Sequence, residues 1–363
     1  MSKQTSPWRV GPISAFDVHR EPARHASAEA FSASRASTAG IPSETDVMRV
    51  LFAGRDEEQH PSFVLLVGQA GAGAGRFIPQ LQQEHDDGLV ALSTADLQAF
   101  HPRYADVAFR ASLEGQRALA EASAAWVQAG LRYARERHHS LLLEGAFPSA
   151  GAALGVAGLF AQSGYNVHVA AVAVRGEESL LAATSTALRQ IRERRPAALV
   201  HVREHAETFT GTRSILEAAE TDPAVSHLSV IDRHGAVVFD AHRTAPTPIV
   251  GASRVLDAGR AERMTSLESA QWLGELRRAT EFAQTLRPMP QPVREALVEL
   301  HEQAVRRVLP ELLVPAGSHM VQIQQARHAA ALVELRHSTP PASGPDAAAP
   351  VVQPTPSTGT LER

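Results

Sequence analysis

The stretch that most constrains this chain lies over residues 63–78. The apolar run Phe63-Val64-Leu65-Leu66-Val67 breaks into Gly68-Gln69-Ala70-Gly71-Ala72-Gly73-Ala74-Gly75 and resumes with Arg76-Phe77-Ile78. A buried strand, a glycine-rich turn and a helix start in that order build a cradle for phosphate. The glycines let successive backbone N–H groups point inward, and the helix terminus adds partial positive charge. Gly68 and Gly73 satisfy the spacing G-x-x-x-x-G, after which Lys and then Ser or Thr should follow to reach the β/γ-phosphates and Mg²⁺. The two positions hold Ala74 and Gly75. Arg76, two places after the missing lysine, offers a cation from a different angle. The bland alternative is an ordinary tight strand-to-helix turn, in which glycines serve only close packing.

The rest of the chain bounds the options. Its 363 residues suffice for one large or two ordinary domains. A net charge of −4 with both signs interspersed argues against a nucleic-acid protein held by a basic face. Without cysteine, disulfides, thiolate metal sites and cysteine nucleophiles are excluded. No run of eighteen apolar residues exists and no apolar secretory segment opens the chain, so the expectation is no membrane span, with a cytoplasmic location or export as an effector without a Sec signal.

Three regions are expected. Residues 1–43, rich in Ser, Ala, Arg and His without apolar period, read as a weakly ordered arm. Residues 44–312 read as one α/β domain. Residues 313–363 read as a linker and a flexible Pro/Ala-rich tail. Within the linker, Leu313-Val314-Pro315-Ala316-Gly317-Ser318-His319-Met320 differs by one residue from a protease-site linker used in expression vectors and is left out of the fold reading.

Inside the domain, Ser43 caps a helix over 44–51, and a helix over 76–83 follows the glycine loop. Strand 89–92 delivers Ser93-Thr94-Ala95-Asp96 to its carboxyl end, where open parallel sheets bind ligands. Asp96 is therefore a site candidate, with simple helix capping by Ser93, Thr94 or Asp96 as the alternative. A long Ala-rich helix over 108–137 precedes strand 140–143, which ends on Glu144-Gly145 and so puts a carboxylate where one that orients Mg²⁺ would stand. Helix 150–163 and strand 167–174 complete another βαβ unit. Helix 177–193 carries Arg189 and Arg192 and runs into Arg194-Arg195-Pro196. It reads as a phosphate-clamping lid or as a solvated face with interspersed Glu, and spacing alone favours the face. Residues 227–240 read as two short strands at the sheet's edge, and 265–308 as a helical cover interrupted by Pro288-Met289-Pro290. The fold class expected is α/β, a mostly parallel kinase-like sheet flanked by helices, with a helical C-terminal cover and flexible ends.

The ordered set Gly-Gln-Ala-Gly-Ala-Gly, Asp96 with His101-Pro102-Arg103-Tyr104, Leu142-Leu143-Glu144-Gly145 and Val230-Ile231-Asp232-Arg233-His234-Gly235 resembles the zeta toxin family of P-loop kinases over residues 63–240. The resemblance implies use of ATP with Mg²⁺ to phosphorylate a sugar hydroxyl of a nucleotide sugar, UDP-N-acetylglucosamine, and a restraining antitoxin or immunity protein as partner. Gly68, Gly71 and Gly73 match the phosphate loop, which makes Gln69, Ala74, Gly75 and Arg76 cofactor-binding positions with them. Glu144 matches the acidic residue after the third strand, Arg189 an arginine of the lid helix, and Arg194 or Arg195 a phosphate-contacting arginine. The family's catalytic aspartate falls on Ala95 by strict register, leaving Asp96 one residue away. Two expectations follow: a kinase with Asp96, Glu144, Arg189 and Arg195 as its catalytic set, or a catalytically silent relative that binds a nucleotide or a protein.

Overall fold

A computed structural model describes residues 40–85, 88–106, 113–147, 149–195, 197–244, 247–313 and 318–337. All but the last four residues of the expected N-terminal arm, and the tail from Ser338 onward, lie outside the described residues.

Six strands, β1 (Ser62–Val67), β2 (Val90–Leu92), β3 (Leu141–Gly145), β4 (Asn166–Ala173), β5 (His227–Asp232) and β6 (Val237–His242), form one sheet in the order β2-β3-β1-β4-β5-β6. The first five are parallel and β6 pairs antiparallel with β5. A parallel sheet must be covered on both faces, and β1 shows why this chain can do so: its last five residues are all buried. Phe63, Leu65 and Val67 point into one core, Val64 and Leu66 into another.

The larger core takes Val47 and Met48 of α1 (Glu44–Leu51), Trp126 of α4 (Leu113–Arg137), Phe160 of α5 (Ala150–Gln162), Ile215 and Leu216 of α7 (Val202–Thr221), and Leu256 of α8 (Ala252–Ala261). On the opposite face, Val64, Leu66, Leu142, Ala170 and Val172 pack against the glycine loop and the short α2 (Ile78–Glu84). A third core joins Leu180, Leu181 and Leu188 of α6 (Gly176–Arg192) to Trp272 and Leu276 of α9 (Ser266–Ala283) and Leu297 and Leu300 of α10 (Gln291–Gln303). The expected helical cover is thus present, and Thr265 starts α9 with a complete capping box to Glu268.

Three local expectations are corrected. The element after the glycine loop is a 3₁₀ turn, Ala74–Phe77, before α2 begins at Ile78, because Pro79 suits a first helical turn and no interior position. Helix α6 is not a solvated face: ten of its residues, Glu177 and Glu178 among them, are buried, and Leu180, Leu181 and Leu188 pack with α9 and α10. Beyond the linker, α11 (His319–His337) packs on α10 and buries Leu335 and His328, an element the sequence reading left out because the vector-like segment precedes it.

Candidate functional site

The glycine loop is held from behind. Gly71 and Gly73 take the left-handed backbone, with φ of 79° and 73°. At Gly71 a Cβ would stand 2.0 Å from the carbonyl oxygen of Ser179, so the loop is pressed against the first turn of α6. Gln69 is buried. Its Nε2 donates to the Val174 carbonyl at 3.2 Å and to Ser179 Oγ at 3.1 Å, and its Oε1 accepts from Arg260 Nη2 at 3.2 Å. Ser179 Oγ in turn lies 2.9 Å from His205 Nε2. Burial pushes the His205 imidazole down to about 4 and the Arg260 guanidinium, stacked 3.9 Å over Phe209, down to about 10. The side chain of Gln69 therefore anchors the loop to α6 and α8 and does not line the cavity in front of it.

Arg76 folds back over that loop. Its Nη2 donates to the carbonyl of Arg233, and its guanidinium lies 4.7 Å from the Phe77 ring. A Cβ at Gly73 would sit 3.3 Å from Arg76 Nε. That Nε is buried with no partner among the described residues. Desolvation lowers the Arg76 pKa, against the pull of Asp232 and Glu178.

Glu144, at the tip of β3, reaches the end of the loop. A Cβ at Gly75 would lie 3.2 Å and 3.3 Å from its two carboxylate oxygens. Glu144 therefore stands beside the position at which the phosphate-loop pattern has a hydroxyl. Asp96 lies in the first turn of α3 (Thr94–Gln98), and its backbone N–H donates at 3.2 Å to Ser93 Oγ, so Ser93 does the capping. Neither Asp96 nor Glu144 lines the main cavity. His101 is buried and its Nδ1 accepts from the Arg103 N–H at 3.2 Å, while burial, then Arg103, lowers its pKa.

That cavity, about 1360 Å³, opens between the loop and the helical cover. Gly71, Gly73 and Arg76 form one wall, with Arg189 and Arg192 on the last turns of α6 and Arg278 and Phe282 of α9 among its other lining residues. Arg192 stacks 4.3 Å over Phe282. Arg195 is outside: exposed, 3.6 Å from Glu193. Sequence reasoning gave no role to Arg233, yet it is the hub of the cavity wall. Its Nη1 lies 3.3 Å from Glu178 and its Nη2 3.2 Å from Glu268, and both glutamates line the cavity. The segment Asp232-Arg233-His234-Gly235 was visible, but only the pairing of β5 beside β4 reveals that Arg233 meets α6. Burial raises the Glu178 carboxyl against the lowering effect of Arg233.

Comparisons with known proteins bear on the family and the fold. A family model described as zeta toxin matches residues 49–244. A solved structure from the PezAT chromosomal toxin–antitoxin system of Streptococcus pneumoniae is 17% identical with a TM-score of 0.53, covering 66% of this chain and 94% of that one. An AvrRxo1-ORF1:AvrRxo1-ORF2 complex determined with ATP is 12% identical with a TM-score of 0.40, over 76% of this chain and 88% of that one. At 17% identity the first of these likenesses is one of fold alone. A search of curated proteins found no match. With residues 49–244 of 363 matched to its model, more than half of the whole, the chain belongs to the zeta toxin family, in a form whose phosphate loop has lost the lysine and the hydroxyl.

Proposed function

We propose that this chain is a toxin kinase that transfers a phosphoryl group from ATP to a sugar hydroxyl of a nucleotide sugar, UDP-N-acetylglucosamine by family precedent, and that an antitoxin or immunity protein restrains it. One observation carries the reading. Arg76, with an unpartnered buried Nε, and Arg189 with Arg192 line the same cavity at the mouth of a glycine loop. Cations converging on such a loop suit a polyphosphate, and positioning and charge neutralisation are most of what phosphoryl transfer asks of a protein.

The residues present fit ATP and half fit Mg²⁺. The loop backbone over residues 71–75 and Arg76 would hold the β/γ-phosphates, a guanidinium contacting two oxygens where an ammonium contacts one. Glu144 would hold the metal or orient the acceptor hydroxyl, without help from Gly75. When bound, MgATP supplies the transferable phosphoryl group and neutralises part of its charge. Asp96 is the candidate base that takes the hydroxyl proton. The domain that does this spans residues 44–312.

The second reading, a silent relative that binds without catalysing, is favoured by Ala74 and Gly75 and by Ala95 at the aspartate's register. One experiment separates the two. Purified protein is incubated with Mg-ATP and UDP-N-acetylglucosamine and the sugar nucleotide is read by mass, beside calorimetric titration of ATP. Gain of one phosphate, abolished in Arg76→Ala and partly kept in Arg76→Lys, supports the kinase. ATP binding without transfer establishes the silent relative. No binding of ATP overturns the kinase and leaves, of the second reading, only a relative that binds a protein.

A further inference from the structure

Far from the phosphate loop, at the opposite end of the sheet, the strands bring three histidines into one column. His168 of β4, His227 of β5 and His242 of β6 are directly opposite one another in register, and their rings stack with centroids 3.7 Å and 3.9 Å apart. Asp240, two residues before His242 on the edge strand, faces the same side, opposite Ser229. One ligand atom from each of His227, Asp240 and His242 lies within 4.8 Å of the other two, the only such convergence among the described residues.

From this geometry we infer a second, previously unassigned site: His227, Asp240 and His242 bind a borderline divalent ion such as Zn²⁺. Two imidazoles and a carboxylate are the donor set such ions take, and three protein ligands with an open face for water is a common arrangement. An all-oxygen ion such as Mg²⁺ is poorly served by it. His227 Nε2 and Asp240 Oδ1 hydrogen-bond to one another at 2.5 Å, so the ion would take the place of the proton between them, and Asp240 and His242 are exposed, which leaves their side chains room to turn toward it.

Groups behind the three fix their positions. His168 is buried under His227 with its Nε2 2.8 Å from Ser229 Oγ. His85 lies 5.9 Å from the His168 ring, and Glu84 is near enough for its charge to be felt together with that of Asp240. An ion bound here clips the edge strand β6 to β5 in the regular stretch that ends at the register shift at Val230/Ile231. The site is independent of the nucleotide: His168 is opposite Val64, whereas the loop leaves β1 after Val67.

The full-length protein is titrated with ZnCl₂ by calorimetry after treatment with chelator, and its melting temperature is recorded with Zn²⁺ and with Mg²⁺. The expected result is one site whose occupancy raises the melting temperature, no response to Mg²⁺, and affinity reduced at least about tenfold in His242→Ala and Asp240→Asn. Both variants alter exposed side chains, and circular dichroism checks their fold. His60→Ala, an exposed histidine elsewhere, should bind as the parent does. Co²⁺ in place of Zn²⁺ should give a visible absorption band that His242→Ala abolishes. Equal affinity in parent and His242→Ala, or no binding in the parent, overturns the inference.

Discussion

Gly75 and Glu144 stand so close that the carboxylate occupies the space a side chain at 75 would enter, 3.2 Å from its Cβ. Two elements a βαβ unit apart in sequence meet there because β1 and β3 are neighbours, with Val67 opposite Gly145. Restoring Ala74→Lys with Gly75→Ser should therefore rebuild a metal and phosphate site around an acid already in place. Each added group contributes at least on the order of 1 kcal/mol, so Mg-ATP should bind about tenfold tighter or better, read by calorimetry. Unchanged affinity would show that nucleotides do not use the loop in this pose.

Gly71 is a stricter position. A side chain there meets backbone of α6, which has no way to yield, and must also take a φ of 79°. Gly71→Ala should lower stability by at least about 3 kcal/mol, the sum of left-handed strain and overpacking. Denaturant unfolding measures it, with Gly73→Ala, whose nearest neighbours are side-chain atoms of Arg76 and not backbone, expected to cost less.

Arg233 is buried between two carboxylates, and removing it leaves Glu178 without its partner. Arg233→Ala should cost about 3–5 kcal/mol. Adding Glu178→Gln to it should recover part of the loss, because the stranded charge is gone. A double variant no more stable than the single one would place the cost in packing instead.

Stability should fall in mild acid. His205 and His301 are each pushed down to about 4 by burial, so at pH 5 the unfolded chain, with ordinary histidines near 6.5, binds protons that the native protein refuses. Their contribution is fully present above pH 6.5 and is lost as pH falls toward 4, about 3 kcal/mol for each. Unfolding free energies at pH 4.5, 5.5 and 7 should show a shallower pH slope in His205→Gln than in the parent, by about one proton.

The sequence carried the sheet and its loop because those segments state their structure locally: an apolar run, then glycines, then a start signal. Glu144 was legible for the same reason, standing at the end of Leu141-Leu142-Leu143. Arg233 was not, because its importance comes from Glu178 and Glu268, 55 and 35 residues away. His227 and His242 likewise become neighbours only through the register of β5 and β6. Gln69 sits in the right motif, but which way its amide turns depends on Ser179 and Arg260, and spacing says nothing of them.

Helix α6 joins two parts of the proposed site in one piece. Its first turn is wedged against Gly71, and its last turns bring Arg189 and Arg192 to the cavity, while the middle is buried in the core. The same helix thus braces the loop and places the two arginines in the cavity lining. A protein that grips this helix from outside, or shifts it by a fraction of a turn, displaces cradle and clamp together. On the proposed reading, a partner could restrain such a molecule without touching its nucleotide.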